Sequence, residues 1–143
     1  GIAEASRLAA APNAIRAATA SFTPTRIGMR ALALRYNMRP QRVFFLTWAL
    51  VEIDASGVTI RRAHEDADVI LHIPASRITN VRLGAMTDSL IRVPTLNVEV
   101  GPSDESAVVP IALLAGPTKA LPLMERELFV AEARRVLGLE VAS

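Results

Sequence analysis

The stretch WALVEIDASGVTIRRAHEDADVILHIPASRITNVRL, residues 48–83, decides the fold class. Its first apolar run belongs to a predicted strand, Val43 to Ile53, which ends at the tetrapeptide Asp54-Ala55-Ser56-Gly57. The Asp and Ser side chains can bond their own backbone and the Gly accepts a positive φ, which is turn chemistry. Beyond the turn, Val58 to Arg62 alternates apolar and polar residues, as a half-buried strand does. The sequence therefore predicts a β-hairpin over residues 48–62.

The rest of the stretch continues the β pattern. Ala63 to Asp68 is a polar, acidic connector, and Val69 to Ile73 is rich in the β-branched residues that favour strands. Pro74 has no backbone N–H to give to a neighbouring strand, so it ends this strand or lies on an edge. Apolar residues then resume at Ile78, Val81 and Leu83.

The residues before this stretch divide into an arm and a further strand. Gly1 to Ser21 is dominated by Ala and is predicted to be helical, with an interruption at Pro12, whose ring clashes with the preceding turn. Arg30 to Met38 alternates apolar residues with Arg, Ala and Asn, which predicts a half-buried strand. We therefore expect an N-terminal helical arm and linker over residues 1–25 and a β-rich domain over residues 26–143.

The residues after the stretch add further strands. Gly84 to Ser89 is predicted to be a loop, and Leu90 to Val100 to form two strand pieces on either side of Pro94. Gly101 to Glu105 is a strong turn signal, and Ala107 to Leu113 is the last predicted strand.

One amphipathic helix is predicted near the C-terminus. Gly116 and Pro117 introduce it, and Thr118 is the expected N-cap. Arg134 in its last turn and Gly138 just beyond match the chemistry of helix C-termini. The predicted apolar face consists of Phe129, Val130, Ala133, Val136 and Leu137. The fold class is therefore mainly β, with about seven antiparallel strands and a helical cover.

This order of elements resembles bacterial pleckstrin-homology-like (PH-like) domains. By order of elements the resemblance covers residues 28–138, and by actual residues it covers Gly57 to Val81. Within that part, Gly57 to Arg62 reads GVTIRR, and Ile73 to Val81 matches an IP…xxI…V pattern that is often found in the group. The resemblance implies a partly open barrel whose open end is covered by the C-terminal helix. It also implies a function in binding rather than catalysis.

The basic residues are unevenly distributed. Residues 1–51 hold seven arginines and one acidic residue, whereas residues 52–143 hold nine basic and thirteen acidic residues. This asymmetry favours either a basic surface for an anionic partner or docking of the basic part on the acidic part of the same chain. The candidate binding residues are Arg39, Arg42, Arg61 and Arg62, since guanidinium groups suit phosphates and carboxylates. An ordinary solvated strand face is the alternative interpretation of the same residues.

Several chemistries find no support in the residues. The chain has no cysteine, which excludes a thiolate metal site and a cysteine nucleophile. His64 lies among acidic residues, but the spacing matches no metal-binding loop, and His72 reads as a residue of an apolar strand. There is no nucleophile elbow and no phosphate-binding loop, so no catalytic residue and no cofactor is predicted. Tyr36 and Trp48 are expected to be buried, which argues against the stacking that nucleic acid needs.

The sequence thus predicts a non-catalytic interaction or scaffold domain. We expect it in the cytoplasm or at the inner face of the membrane, docked to a protein partner or to an anionic lipid surface. The alternative is a structural subunit of an oligomer or of a larger membrane-associated complex, in which the N-terminal arm inserts into a neighbour.

Overall fold

A computed structural model describes residues 14–41, 48–62, 68–116 and 119–139 of the protein. These residues form nine β-strands and two α-helices. In chain order the elements are β1 (Ile15–Ala20), α1 (Thr23–Tyr36), β2 (Trp48–Asp54), β3 (Gly57–Arg62), β4 (Val69–Pro74), β5 (Ile78–Asp88), β6 (Ile91–Val100), β7 (Ala107–Ala112), β8 (Leu114–Gly116), β9 (Lys119–Ala120) and α2 (Leu123–Val136). Short 3₁₀ turns lie at Ala75–Arg77 and Ser103–Glu105, the second of them in the predicted turn.

The strands form two antiparallel sheets. The larger sheet has the order β4-β3-β2-β1-β8-β9, and the smaller has the order β5-β6-β7. Leu113 alone separates β7 from β8, so the chain passes from one sheet to the other there. Its N–H donates to the carbonyl of Pro94 at 3.0 Å. No strand pairing joins the two sheets within the described ranges, so the sheets do not close into a barrel.

The hairpin predicted over residues 48–62 is confirmed. β2 and β3 pair from Ala49 to Asp54, and the N–H of Ser56 donates to Asp54 Oδ1 at 2.8 Å within the turn. Gly57 has a φ of 142°, and a Cβ on it would lie 2.0 Å from the carbonyl oxygen of Ile73. The turn therefore requires glycine. β4 continues the meander and ends at Pro74, as predicted.

Both sheets and both helices share an aliphatic core. The larger sheet contributes side chains such as Ile53 and Leu71, and the smaller sheet contributes side chains such as Leu96 and Val98. The apolar face predicted for α2 is confirmed, since Phe129, Val130 and Ala133 are buried in this core. The helix begins at Leu123, after the short strand β9, whereas the expected cap at Thr118 lies outside the described residues.

The alternation predicts a strand over residues 30–38, and this is wrong. Most of these residues lie in α1. Arg, Ala, Leu and Met are good helix formers, Pro24 lies in the first turn where proline is tolerated, and Asn37 ends the helix in the left-handed region. The helix buries Met29 and Leu32 on one side, at i, i+3 spacing. Leu34, which the strand pattern placed on the buried face, is 75% exposed.

The N-terminal arm is not helical where the structure describes it. Ile15–Ala20 is the strand β1, which pairs with β2 along its whole length and also with β8. The prediction rested on the helix propensity of Ala, but strand pairing on both sides satisfies the backbone more completely than an isolated helix of six residues. Residues 1–13 lie outside the described residues, so the helix predicted for them is not addressed.

The loop predicted at residues 84–89 is also wrong. β5 runs without a break to Asp88, and β6 runs from Ile91 through Pro94 to Val100. Pro94 is tolerated inside β6 because the pairing of β6 with β7 begins only at Thr95, so the missing N–H leaves no hydrogen bond of that ladder unmade. The result is a long hairpin of strands with 11 and 10 residues.

We predict that Gly28→Ala destabilises the protein by about 1–2 kcal/mol. A Cβ at this position would lie 2.7 Å from the carbonyl oxygen of Val108 and 2.9 Å from Cα of Val109, so α1 would have to move away from β7. This overpacking costs more than the gain in helix propensity of up to about 1 kcal/mol. Chemical denaturation measures the change.

The matched control is Gly116→Ala. The nearest atom to a Cβ at Gly116 is 3.9 Å away, so the free energy of unfolding should stay within about 0.5 kcal/mol of the wild type. A Gly28→Ala variant that is more stable than the wild type would contradict the close approach of α1 to β7.

Candidate functional site

The three predicted binding arginines that the structure describes do not form one free patch. Arg39 is exposed in the segment after α1, which is tied to the edge of the larger sheet by a bond from the N–H of Gln41 to the carbonyl of Ile70 at 2.7 Å. Arg62 pairs with Asp68 at 2.8 Å. Arg42 lies outside the described residues.

Arg61 belongs to a buried ionic cluster on the larger sheet. Glu52, only 4% exposed, lies on the central strand β2. Its Oε2 is 2.7 Å from Nε of Arg16 on β1, and its Oε1 is 3.5 Å from Nε of Arg61 on β3. Since the side chain of Arg61 is 11% exposed, this geometry indicates a structural role for it. Its predicted role in binding stays a prediction.

His72 extends the same polar row toward the sheet edge. Its Nδ1 lies 2.8 Å from the hydroxyl oxygen of Thr59, which is directly opposite on β3. Burial lowers the pKa of His72 below its usual 6.5, Asp54 acts in the opposite direction, and Arg61 lowers the pKa further. The imidazole is therefore neutral at pH 7, as expected of a partly buried histidine within a sheet.

We predict that Glu52→Gln lowers the free energy of unfolding by about 3 kcal/mol. The substitution removes the carboxylate that faces Arg16 and Arg61, and breaking a buried ion pair from one side is costly. Urea denaturation at neutral pH measures the loss.

Glu132→Gln is the matched control, because Glu132 pairs with Arg135 on the exposed side of α2. It should leave the denaturation midpoint unchanged. Equal effects of the two substitutions would show that Glu52 contributes no more than a surface ion pair.

The most unusual surface feature is the turn of the β5–β6 hairpin. Ser89 and Leu90 are its two central residues, with φ of 49° and 73°, between the paired residues Asp88 and Ile91. Two positive φ values are the mark of a type I′ turn, which strongly prefers Asn and Gly. A leucine in this conformation costs roughly 1–2 kcal/mol.

The turn also carries an exposed apolar cluster. Leu90 is 100% exposed and Ile91 is 60% exposed. The next residue, Arg92, is exposed as well. We call residues 89–92 the hairpin tip. It presents two large aliphatic side chains and one guanidinium group on a strained turn.

The hairpin tip is held firmly against the rest of the domain. Oδ2 of Asp88 accepts a hydrogen bond at 2.9 Å from the backbone N–H of Thr23, at the start of α1. Two residues further along, the hydroxyl of Thr25 donates to the carbonyl of Pro110 at 2.6 Å. A second small core of Met86, Val93, Ala112 and Leu114 packs beneath the tip.

A groove opens beside the hairpin tip. Its volume is about 480 Å³, and it is lined by Leu83, Gly84, Ala85, Arg92, Pro94 and Arg126. The register places Arg92 and Pro94 on the same side of the hairpin as Leu96 and Val98, which reach the main core. The groove therefore lies on the same face of the hairpin as the core and next to the end of the core.

α2 forms the other wall of the groove. Arg126 lies in its first turns and donates from a terminal guanidinium nitrogen to the carbonyl of Leu121 at 2.7 Å. Leu123, Met124 and Leu128 on the same helix are exposed. The groove thus lies between two elements that both expose aliphatic side chains.

The sequence analysis missed this site because it divided the hairpin wrongly. Taking residues 84–89 as a loop hid the two-residue turn at Ser89 and Leu90. Asp88-Ser89 has turn chemistry, but the two central turn residues are Ser89 and Leu90, and leucine is not a residue that indicates a turn. Arg126 comes near Arg92 only through the packing of α2, which no local pattern shows.

Comparisons with known proteins do not add to this assignment: no protein-family profile matches the chain, and no curated protein is similar to it. Within the described ranges, no group of three or more His, Asp and Glu side chains could hold a metal ion. Neither of the two described helices, of 14 residues each, is long and apolar enough to cross a membrane.

We predict that Leu90→Gly stabilises the protein by about 0.5–1 kcal/mol. Glycine removes the penalty of roughly 1–2 kcal/mol for a leucine at positive φ, and loses part of this gain to the greater freedom of the unfolded chain. Leu34→Gly, at a leucine inside α1 that is 75% exposed, should instead cost about 1 kcal/mol. Thermal or urea denaturation distinguishes the two, and a loss of stability in Leu90→Gly would contradict the strained turn.

Proposed function

We propose that the protein is a non-catalytic interaction domain that docks on an anionic membrane face through the hairpin tip. The observation that carries the proposal is the complete exposure of Leu90 on a turn that disfavours leucine, next to Ile91 and Arg92. Strain of this kind persists where the rest of the structure holds it in place, and it concentrates at functional positions.

The energetics suit weak, reversible docking. Burying a leucine or isoleucine side chain gains about 1.5–3 kcal/mol, and each arginine near an anionic surface adds about 1 kcal/mol. The hairpin tip as a whole thus offers a few kcal/mol, the scale of a single lipid anchor. Stable attachment requires a second contact from the same domain or from an attached partner.

The proposed membrane role fits the resemblance to PH-like domains. In that reading β2–β4 are the first meander, β5–β7 the second, and α2 the covering helix, all within the residues 28–138 that the resemblance covers. The strand β1 lies outside that range, and α1, β8 and β9 are additions to the expected order. On this proposal the domain acts in the cytoplasm at the inner face of the membrane.

We predict that the domain floats with vesicles that contain 30% phosphatidylglycerol and remains unbound with phosphatidylcholine vesicles. High salt should weaken the binding, because it screens the arginines and leaves the aliphatic contact. Leu90→Gly should lose most of the binding although it is the more stable protein, so unfolding cannot explain the loss. Ile91→Ser should act in the same direction.

Leu34→Ser is the matched control for an exposed leucine away from the hairpin tip, and it should float like the wild type. Wild-type protein that binds neither kind of vesicle would overturn the proposal. A mass that rises with concentration in the same samples would then favour the alternative, a structural subunit of an oligomer.

A further inference from the structure

We propose that the groove beside the hairpin tip binds the phosphate group of an anionic lipid headgroup, with Arg92 and Arg126 as its ligands. This inference rests on the proposed membrane docking and adds the site that the headgroup occupies. The two arginines line the same groove from different elements, β6 and α2.

No described acidic residue neutralises the charge of these two arginines. Arg92 makes no hydrogen bond or ion pair with any described residue, and Nε of Arg126 is buried without a hydrogen-bond partner there. The six lining residues include no acidic residue. The nearest acid along the hairpin, Asp88, is engaged with the backbone of Thr23.

Five other described arginines form ion pairs with carboxylates, namely Arg16, Arg61, Arg62, Arg82 and Arg135. Two forked donors on opposite walls match the several oxygens of a phosphate group.

The shape of the groove fits a headgroup rather than a buried metabolite. It is open, with about 480 Å³ of volume, and Leu83, Ala85 and Pro94 give it an apolar side. A headgroup needs this combination, since its phosphate is charged and its glycerol backbone leads into hydrocarbon.

The positions of the exposed aliphatic residues agree with this orientation. Leu90 lies two residues from Arg92, about 7 Å along the strand. Leu123 lies three residues from Arg126, less than one helical turn or about 5 Å along the axis. Aliphatic side chains on both walls can enter the outer 5–10 Å of the bilayer while the phosphate lies between the two arginines.

The test is an NMR titration of the arginine Nε–H groups with glycerol 3-phosphate and with inorganic phosphate, next to vesicle flotation of the same proteins. Two variants block the groove in different ways. Arg92→Gln removes a charge from a residue that holds no other part of the fold. Ala85→Leu fills the groove without changing any charge, and Ala85 is exposed, so the fold should tolerate it. Arg30→Gln, at an exposed arginine of α1, is the control for charge alone.

The inference expects saturable shifts of Arg92 and Arg126 with glycerol 3-phosphate, which both groove variants abolish and Arg30→Gln preserves. It also expects Arg92→Gln and Ala85→Leu each to weaken binding to anionic vesicles about fivefold, the effect of losing one basic contact.

The two proposals fail in different ways. If the wild type binds anionic vesicles but Ala85→Leu binds equally well and no arginine signal shifts, the groove site is wrong and docking by the hairpin tip stands. If glycerol 3-phosphate binds in the groove but no vesicle does, membrane docking is wrong and the groove takes a free phosphate ester. Shifts that appear equally in Arg92→Gln and the wild type overturn the site itself.

Discussion

The register of the β5–β6 hairpin is the constraint on which the rest of the structure depends. Ten residue pairs, from Ile78 with Val100 to Asp88 with Ile91, fix which side chains face the core. A slip by one residue would turn Val98 outward and bring its neighbours Asn97 and Glu99 into the core. The same register places Leu90 at the turn and Arg92 in the groove. Core packing and the candidate site are therefore set by one ladder of hydrogen bonds.

The domain separates its charges into two classes, which the sequence alone did not distinguish. Arg61 is directed at the buried carboxylate of Glu52, so one of two adjacent arginines on a strand belongs to the interior of the domain, whereas Arg62 pairs with Asp68. Arg92 and Arg126 are far apart in the chain and carry no such partner among the described residues. Counting basic residues along a sequence does not show which arginines have a carboxylate partner, because that depends on which elements pack together.

The sequence predicted the parts of the fold that depend on local chemistry. The turn Asp54–Gly57, the strand ending at Pro74 and the apolar face of α2 all follow from residue types at fixed spacing. It failed where tertiary contacts decide between two local options. Residues 30–38 alternate like a strand but pack as a helix on β7, and Ala-rich residues 15–20 join a sheet because β2 offers them an edge. The hairpin tip was missed for the opposite reason, since Ser89 and Leu90 break the residue preferences of their own turn.

The single residue between β7 and β8 has a mechanical consequence. Because Leu113 is the whole connection, and its N–H is bonded to Pro94 in the smaller sheet, the two sheets meet there without a hinge. A force applied to the hairpin tip passes along β6 into this junction and from there into the larger sheet. The orientation of the hairpin tip relative to the larger sheet is therefore set by the fold itself and does not depend on a flexible linker.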